Sequence, residues 1–267
     1  MRNKLNYNLL FGFVLLGFIT LLIAYSYLSS DRTANQMEVG SRFLAPSLNH
    51  FLGTDNFGRD ILVRIVTAFW KSIKVAVFTV AIGASIGFLF GAVAGWFGGS
   101  IDELIMRGCD ILTAFPGLLL ALVLISVLGS GDFNIVIALG IIFIPSYARL
   151  TRSCYIRIKE AEYISSAKMA GCSTPRIILV HIFPNITTEL LSSVTVGFAN
   201  AILSEAALSF LGLGIQPPDP SLGRMLSEAQ SYLFKAPWMS VAPGVTIIIV
   251  VLTFNYLSEG IKQKYRR

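Results

Sequence analysis

Charge is what this 267-residue chain has least of: Asp, Glu, Lys and Arg make up 13% of it, against about 25% in a soluble domain. Other scarcities narrow the chemistry. The two histidines, His50 and His181, stand far apart, and no Cys/His cluster accompanies them, so no dedicated metal site is expected. No Ser-His-Asp set or paired carboxylates suggest an intramembrane enzyme, so no catalytic residue is assigned. No Gly-x-x-x-x-Gly-Lys-Ser/Thr loop is present to cradle phosphates. No low-complexity stretch, linker or second domain interrupts the sequence, and no basic stripe with interleaved aromatics points to nucleic acid.

What is present is apolar. Hydrophobic residues make up 54% of the chain and the mean hydropathy is +0.70, so the expected solvent is a bilayer. A spanning helix needs roughly 20 residues for about 30 Å of hydrocarbon. Six candidates follow: Leu9–Leu28, Val75–Phe97, Ile111–Leu128 with Pro116 inside, Phe133–Ala148 ending after Pro145, Leu190–Ile215 interrupted only by Glu205, and Trp238–Leu257 with Pro243 near its start. The first run is longer than a signal-peptide core of about 7–15 residues, and is expected to be a retained span.

Lys and Arg orient the bundle. With the N-terminus inside, the inner segments hold 13 of the 21 basic residues: Arg2, Lys4, Arg107, Arg149, Arg152, Arg157, Lys159, Lys168, Arg176, Lys262, Lys264, Arg266 and Arg267. Both termini are therefore expected in the cytoplasm. Cys109, Cys154 and Cys172 all fall on the inner side, and their odd number suits reduced thiols. Gly83, Gly87, Gly91 and Gly95 recur every four residues. They mark one helix face for close packing, within the chain or at a subunit seam. Glu205 is the ionisable residue well inside a span, with either a structural hydrogen bond or a place on a translocation path open to it. Asp110 is expected to pair with Arg107.

The inner loop from Arg149 to Glu189 carries 162-EYISSAKMAGCSTPRIILVHIFPN-185. Arg149 to about Ala170 is predicted helical. Gly171 suits the left-handed position after a helix end. Ser173 or Thr174 is placed to cap a second helix with Pro175 in its first turn, and Pro184 is expected to break it. The result is a short helix pair outside the membrane.

That stretch resembles the cytoplasmic signature loop of permease subunits of binding-protein-dependent ABC importers. The family pattern is Glu-Ala-Ala, three residues, Gly, nine residues, Ile-x-Leu-Pro. Ala167, Gly171 and Pro184 match it at the right spacing. Ser165 and Ser166 replace Glu-Ala, His181 and Phe183 replace Ile and Leu, and Glu162 is the nearby acid. The segments 53-GTDNFGRD-60, 101-IDELIMRGCDILTAFPGLLLAL-122 and 204-SEAALSFLGLGIQPPDPSLG-223 resemble the dipeptide, oligopeptide and nickel branch, second permease type.

The resemblance implies an all-α integral membrane protein, one permease domain over residues 1–267, with an N-terminal span and outer loop to about residue 72 and a core from about 73. It implies six transmembrane helices and a coupling helix, with Glu162, Ala167, Gly171 and Pro184 at the contact with an ATPase. ATP and Mg are expected on two partner ATPase subunits and no cofactor on this chain. A second homologous permease, an extracytoplasmic binding protein and membrane lipid complete the surroundings, in a bacterial or archaeal cell membrane. The cargo is expected to be a peptide or a nickel or other metal complex. The rival class is an ATP-independent secondary transporter or channel. On this topology, an impermeant maleimide is expected to reach Cys154 and Cys172 only from the cytosolic side, and labelling from outside intact cells would refute the six-span arrangement.

Overall fold

Asp60 sets where one of the two longest helices begins. Its carboxylate accepts the backbone N–H of Leu62 at 2.9 Å and of Val63 at 3.2 Å, filling the donors a helix start leaves open. His50 Nδ1 lies 2.9 Å from its other oxygen. The computed structural model describes residues 7–29 and 33–265. The helices are α1 (Tyr7–Ser29), α2 (Ile61–Phe97), α3 (Gly99–Thr113), α4 (Gly117–Leu128), α5 (Asp132–Lys159), α6 (Glu162–Met169), α7 (Thr174–Phe210), α8 (Leu222–Ala229) and α9 (Trp238–Tyr265). Arg2, Lys4, Arg32, Arg266 and Arg267, which entered the charge tally, lie outside the described residues.

Helices α1, α2, α5, α7 and α9 are long and apolar enough to cross a membrane; α3 and α4 together count as a sixth span only as a bent pair. The expected straight span Ile111–Leu128 is thus broken: α3 and α4 meet at 88° across Ala114–Pro116. Arg152 of α5 holds α3 through both oxygens of Asp102, at 2.5 and 2.6 Å. Asp110 faces Arg149 at 3.3 Å, and Arg107 pairs with Glu103, so the expected Arg107–Asp110 pair is replaced.

Two expected boundaries moved outward. Helix α2 starts at Ile61 and not Val75, because Arg64 and the turn before it are buried together beneath α8. Pro145 does not end its span; α5 continues to Lys159. One expected helix is in fact two: Arg149 to Ala170 breaks at Glu160–Ala161, between α5 and α6.

Helices α2 and α5 run parallel and make the most extensive contact in the chain. The four glycines face α5. A side-chain carbon on Gly87 would fall 2.5 Å from Tyr147 Cβ and 2.8 Å from the Ile144 carbonyl oxygen; on Gly91 it would meet Thr151 Cβ at 2.6 Å and run into the Ala148 carbonyl. The stripe is therefore an internal packing surface and not a subunit seam. Lipid gives helices no hydrophobic reason to associate, so close van der Waals fit has to hold them. Around this pair, Ala76, Val80 and Ala84 of α2 pack with Tyr147, with Ala201 and Ile202 of α7, and with Val250 of α9.

Burial also revises the labelling expectation. Cys154 is buried in the core and Cys172 is half-buried, so maleimide reports from Cys172. Gly87→Leu or Gly91→Leu is expected to separate α2 from α5 at a cost of at least about 1–3 kcal/mol. Reduced membrane abundance and a lowered Tm of the solubilised protein measure it; wild-type values in both variants would show that the contact is dispensable.

Candidate functional site

The loop between α5 and α7 folds into a hairpin whose turn is set by backbone chemistry. The last turn of α6 closes with Cys172 N–H donating to the Ala167 carbonyl at 3.0 Å and Gly171 N–H to the Lys168 carbonyl at 3.0 Å. This pairing requires a left-handed residue after the helix, and Gly171 has φ +79° with nothing within 4 Å of where a side chain would begin. Ser173 takes the position before α7 with Pro175 in the first turn, though its hydroxyl makes no cap bond.

Pro184 does not break the second helix, contrary to expectation. Helix α7 passes from α-helical Thr174–Arg176 through a π-helical stretch, Ile177–Ile182, into α-helical Phe183–Phe210. Phe183 N–H reaches the Ile178 carbonyl, five residues back. The wider turn sits just ahead of Pro184, where a ring without an N–H would disrupt an ordinary α-helical ladder.

The hairpin is anchored on one side only. Ile164 of α6 and Ile177, Ile182 and Ile186 of α7 are fully buried against Cys154, Tyr155 and Ile158 of α5. Burying one such side chain contributes about 1.5–3 kcal/mol. Lys168 places its ammonium 5.3 Å from the Trp96 ring centre, and Lys159 donates to the Trp96 carbonyl at 2.5 Å, tying the hairpin to the end of α2. The other side is bare: Met169 is 83% exposed and Leu179 66%, and Val180 and Phe183 join them. Of the anticipated residues, Glu162 is exposed in the first turn of α6, Ala167 is half-buried in its last turn and Gly171 follows. Pro184 stands apart from these three, exposed in α7.

Glu205 is elsewhere and fully buried. Its two oxygens accept from the hydroxyls of Ser72 and Ser209, each at 2.6 Å. Ser209 Oγ in turn accepts from Ile215 N–H at 3.2 Å. The carboxylate thus joins α7 to α2 and fastens the loop that follows.

Between α5 and α7 runs a groove of about 730 Å³, with Lys262 of α9 at its edge. Glu205 is not among its lining residues. Ser146, Tyr147, Ser193 and Asn200 give it hydroxyls and an amide, and Arg157 pairs with Glu189 at 2.9 Å toward the α6 end. The signal for it in the sequence was Glu189, Ser193, Val196 and Asn200, spaced as one helix face.

A polar face open to a groove along one spanning helix and a docked hairpin at its end suit a transport subunit. The sequence profile of binding-protein-dependent transport system inner membrane components matches residues 87–267. The chain belongs to this family. It is a transmembrane permease subunit of an ABC importer. It is 39% identical over 261 residues to the dipeptide transport system permease protein of Alkalihalophilus pseudofirmus, covering 98% of this chain and 85% of that one. It is 43% identical over 217 residues to the glutathione transport system permease protein of Escherichia coli O157:H7, covering 81% and 72%. The fold is similar to a chain of the MetNI methionine ABC transporter solved in inward-facing conformations, with TM-score 0.63 and 16% identity over 76% of this permease and 97% of that chain. An amino acid ABC transporter solved with histidines gives TM-score 0.58 at 16% identity, over 75% and 93%.

In this permease, Glu205→Leu is expected to leave two buried hydroxyls without their acceptor, destabilising by about 1–3 kcal/mol. Glu205→Gln keeps an acceptor and should lose less. Thermal unfolding of the solubilised protein compares them, and equal Tm values for the wild type and the Leu variant would refute the structural role.

Proposed function

We propose that this permease pairs with a second, homologous permease to form the path by which an ABC importer takes up small peptides. The hairpin end faces the cytoplasm, with both termini on that side, and the whole of residues 1–267 serves as one permease domain. The relatives named for dipeptide and glutathione transport support a peptide cargo over nickel. Among the described residues, no three His, Cys, Asp or Glu side chains group to hold a metal ion.

The observation that carries the coupling role is the one-sided anchorage of α6. A helix locked to α5, α7 and the end of α2 on one face, and bare on the other, passes a push from a partner into the spans as a rigid unit. We assign Glu162, Ala167 and Gly171 to the contact with a cytosolic ATPase and Pro184 to the root of the moving segment. Two such ATPases supply the energy with their own ATP and Mg, since this sequence has no phosphate-cradling loop. A binding protein delivers cargo to the opposite face. Glu205 holds the spans together beside the path.

Gly171→Val is the direct test. Valine resists a positive φ, at about 1–3 kcal/mol, and with open space around Gly171 the effect acts through the backbone. The variant should insert at normal abundance but lose ATPase association or substrate-stimulated ATP hydrolysis. Gly171→Asn, which tolerates that conformation, should stay near wild type. Ala167→Asp should uncouple as well by placing an unpaired charge in the contact. Wild-type ATPase co-purification and uptake in both Gly171→Val and Ala167→Asp would return the hairpin to a passive connector. Uptake without any ATPase would favour an ATP-independent carrier.

A further inference from the structure

The face of α7 that borders the groove changes character along its length. Toward the α6 end it presents Glu189 and Ser193; beyond Asn200 the groove lining ends, and Leu203 and Phe210, both exposed and apolar, line a separate hollow with Leu226 of α8 and Ile247 of α9. Asn200 stands at the change. It is exposed although it lies roughly 15 Å along the helix from Phe210, deep within a span. Its amide makes no hydrogen bond to any described residue. Such an amide has four bonding positions to satisfy, and hydrocarbon satisfies none.

A second group at the same depth is also unsatisfied. The Tyr147 hydroxyl is buried without a hydrogen-bond partner, in a residue that is only 4% exposed. It lies against Gly197, where a side-chain carbon would collide with it. Gly197 is one turn from Asn200, and all three residues line the groove. Charge is confined to the groove's other end, at the Arg157–Glu189 pair and Lys262. The deep end therefore offers neutral donors and acceptors and no fixed charge.

We propose that Asn200, assisted by the Tyr147 hydroxyl, is a specificity-determining contact for cargo inside the path, and that it recognises the neutral peptide group. This rests on the peptide-importer reading above. The carboxamide donates and accepts side by side, matching the C=O and N–H of a peptide bond, a group that peptides share whatever their side chains. A charged cargo group would instead call for an opposite charge at this depth.

The test uses the complete importer, with its second permease, ATPases and binding protein, in proteoliposomes. Initial uptake rates are measured for neutral, cationic and anionic dipeptides. Asn200→Leu should lower uptake of neutral dipeptides about tenfold, the loss of a buried hydrogen-bond partner, with subunit composition and basal ATP hydrolysis unchanged. Asn200→Asp should raise the cationic-to-neutral uptake ratio several-fold, and Asn200→Gln should restore part of the neutral rate. A merely structural residue would not move that ratio. Wild-type rates and ratios in both the Leu and the Asp variants would overturn the proposal while leaving the peptide reading intact. Loss of the second permease from the Asn200→Leu complex, with normal uptake per assembled importer, would also overturn it and place Asn200 at the subunit seam. If the wild-type importer takes up no dipeptide, the peptide reading fails and this proposal with it.

Discussion

The contact between α2 and α5 is the constraint on which the rest of this permease depends. Water drives helices together by expelling apolar surface, and a bilayer does not. What remains is close contact, and Gly83, Gly87, Gly91 and Gly95 leave four successive turns of α2 with no side chain to hold it off α5. The consequences run outward from there. Helix α5 is fixed along its length, so the groove wall it forms with Ser146 and Tyr147 is fixed too. The Tyr147 ring is held from the other side by Phe88, edge to face at 5.3 Å. The end of α5 then supplies Cys154, Tyr155 and Ile158 as the seat of the hairpin. One pair of helices thus carries both the groove wall and the seat of the hairpin.

Polar groups finish what packing begins, and they do so at element ends. Asp60 caps α2 with His50 behind it. Asp55 accepts the backbone N–H of Phe57 and Arg59 and holds the Arg59 guanidinium at 2.6 Å, while Arg64 lies 3.7 Å away. Buried charges persist when each has a counter-charge and filled hydrogen bonds, and this turn comes close to both conditions. At the other end Arg152 and Arg149 clasp α3. Between them, Glu205 shows how a carboxylate is tolerated among spans: two serine hydroxyls reach it.

Much of this architecture was legible in the sequence. Long uncharged runs gave the crossings, and the four-residue glycine repeat gave a packing face. The position of Gly171 after a helical stretch gave the left-handed turn. The failures cluster at prolines and at charges. Pro116, Pro145, Pro184 and Pro243 look alike in a sequence, yet only Pro116 coincides with a break. A spanning helix supported by neighbours survives one missing N–H, and the π stretch before Pro184 shows one way it does so. Arg64, Lys71 and Lys74 disguised the first turns of α2 as loop; the burial of Arg64 and the pairing of Lys71 with Asp219 are tertiary facts. The groove escaped for the same reason. A lone Asn in an apolar run reveals its surroundings only when α5 is laid beside it.

The π stretch also acts as a phase setting. Each residue turns an α-helix by about 100°, and a π turn absorbs roughly one extra residue without breaking the chain. The α6 hairpin and the face bearing Ser193 and Asn200 sit on opposite sides of Ile177–Ile182. Their relative azimuth is therefore written in the length of that stretch. Related chains with one residue fewer there would carry the same hairpin and the same polar face, rotated out of line with each other. In this helix, a gap of a single residue weighs more than most substitutions.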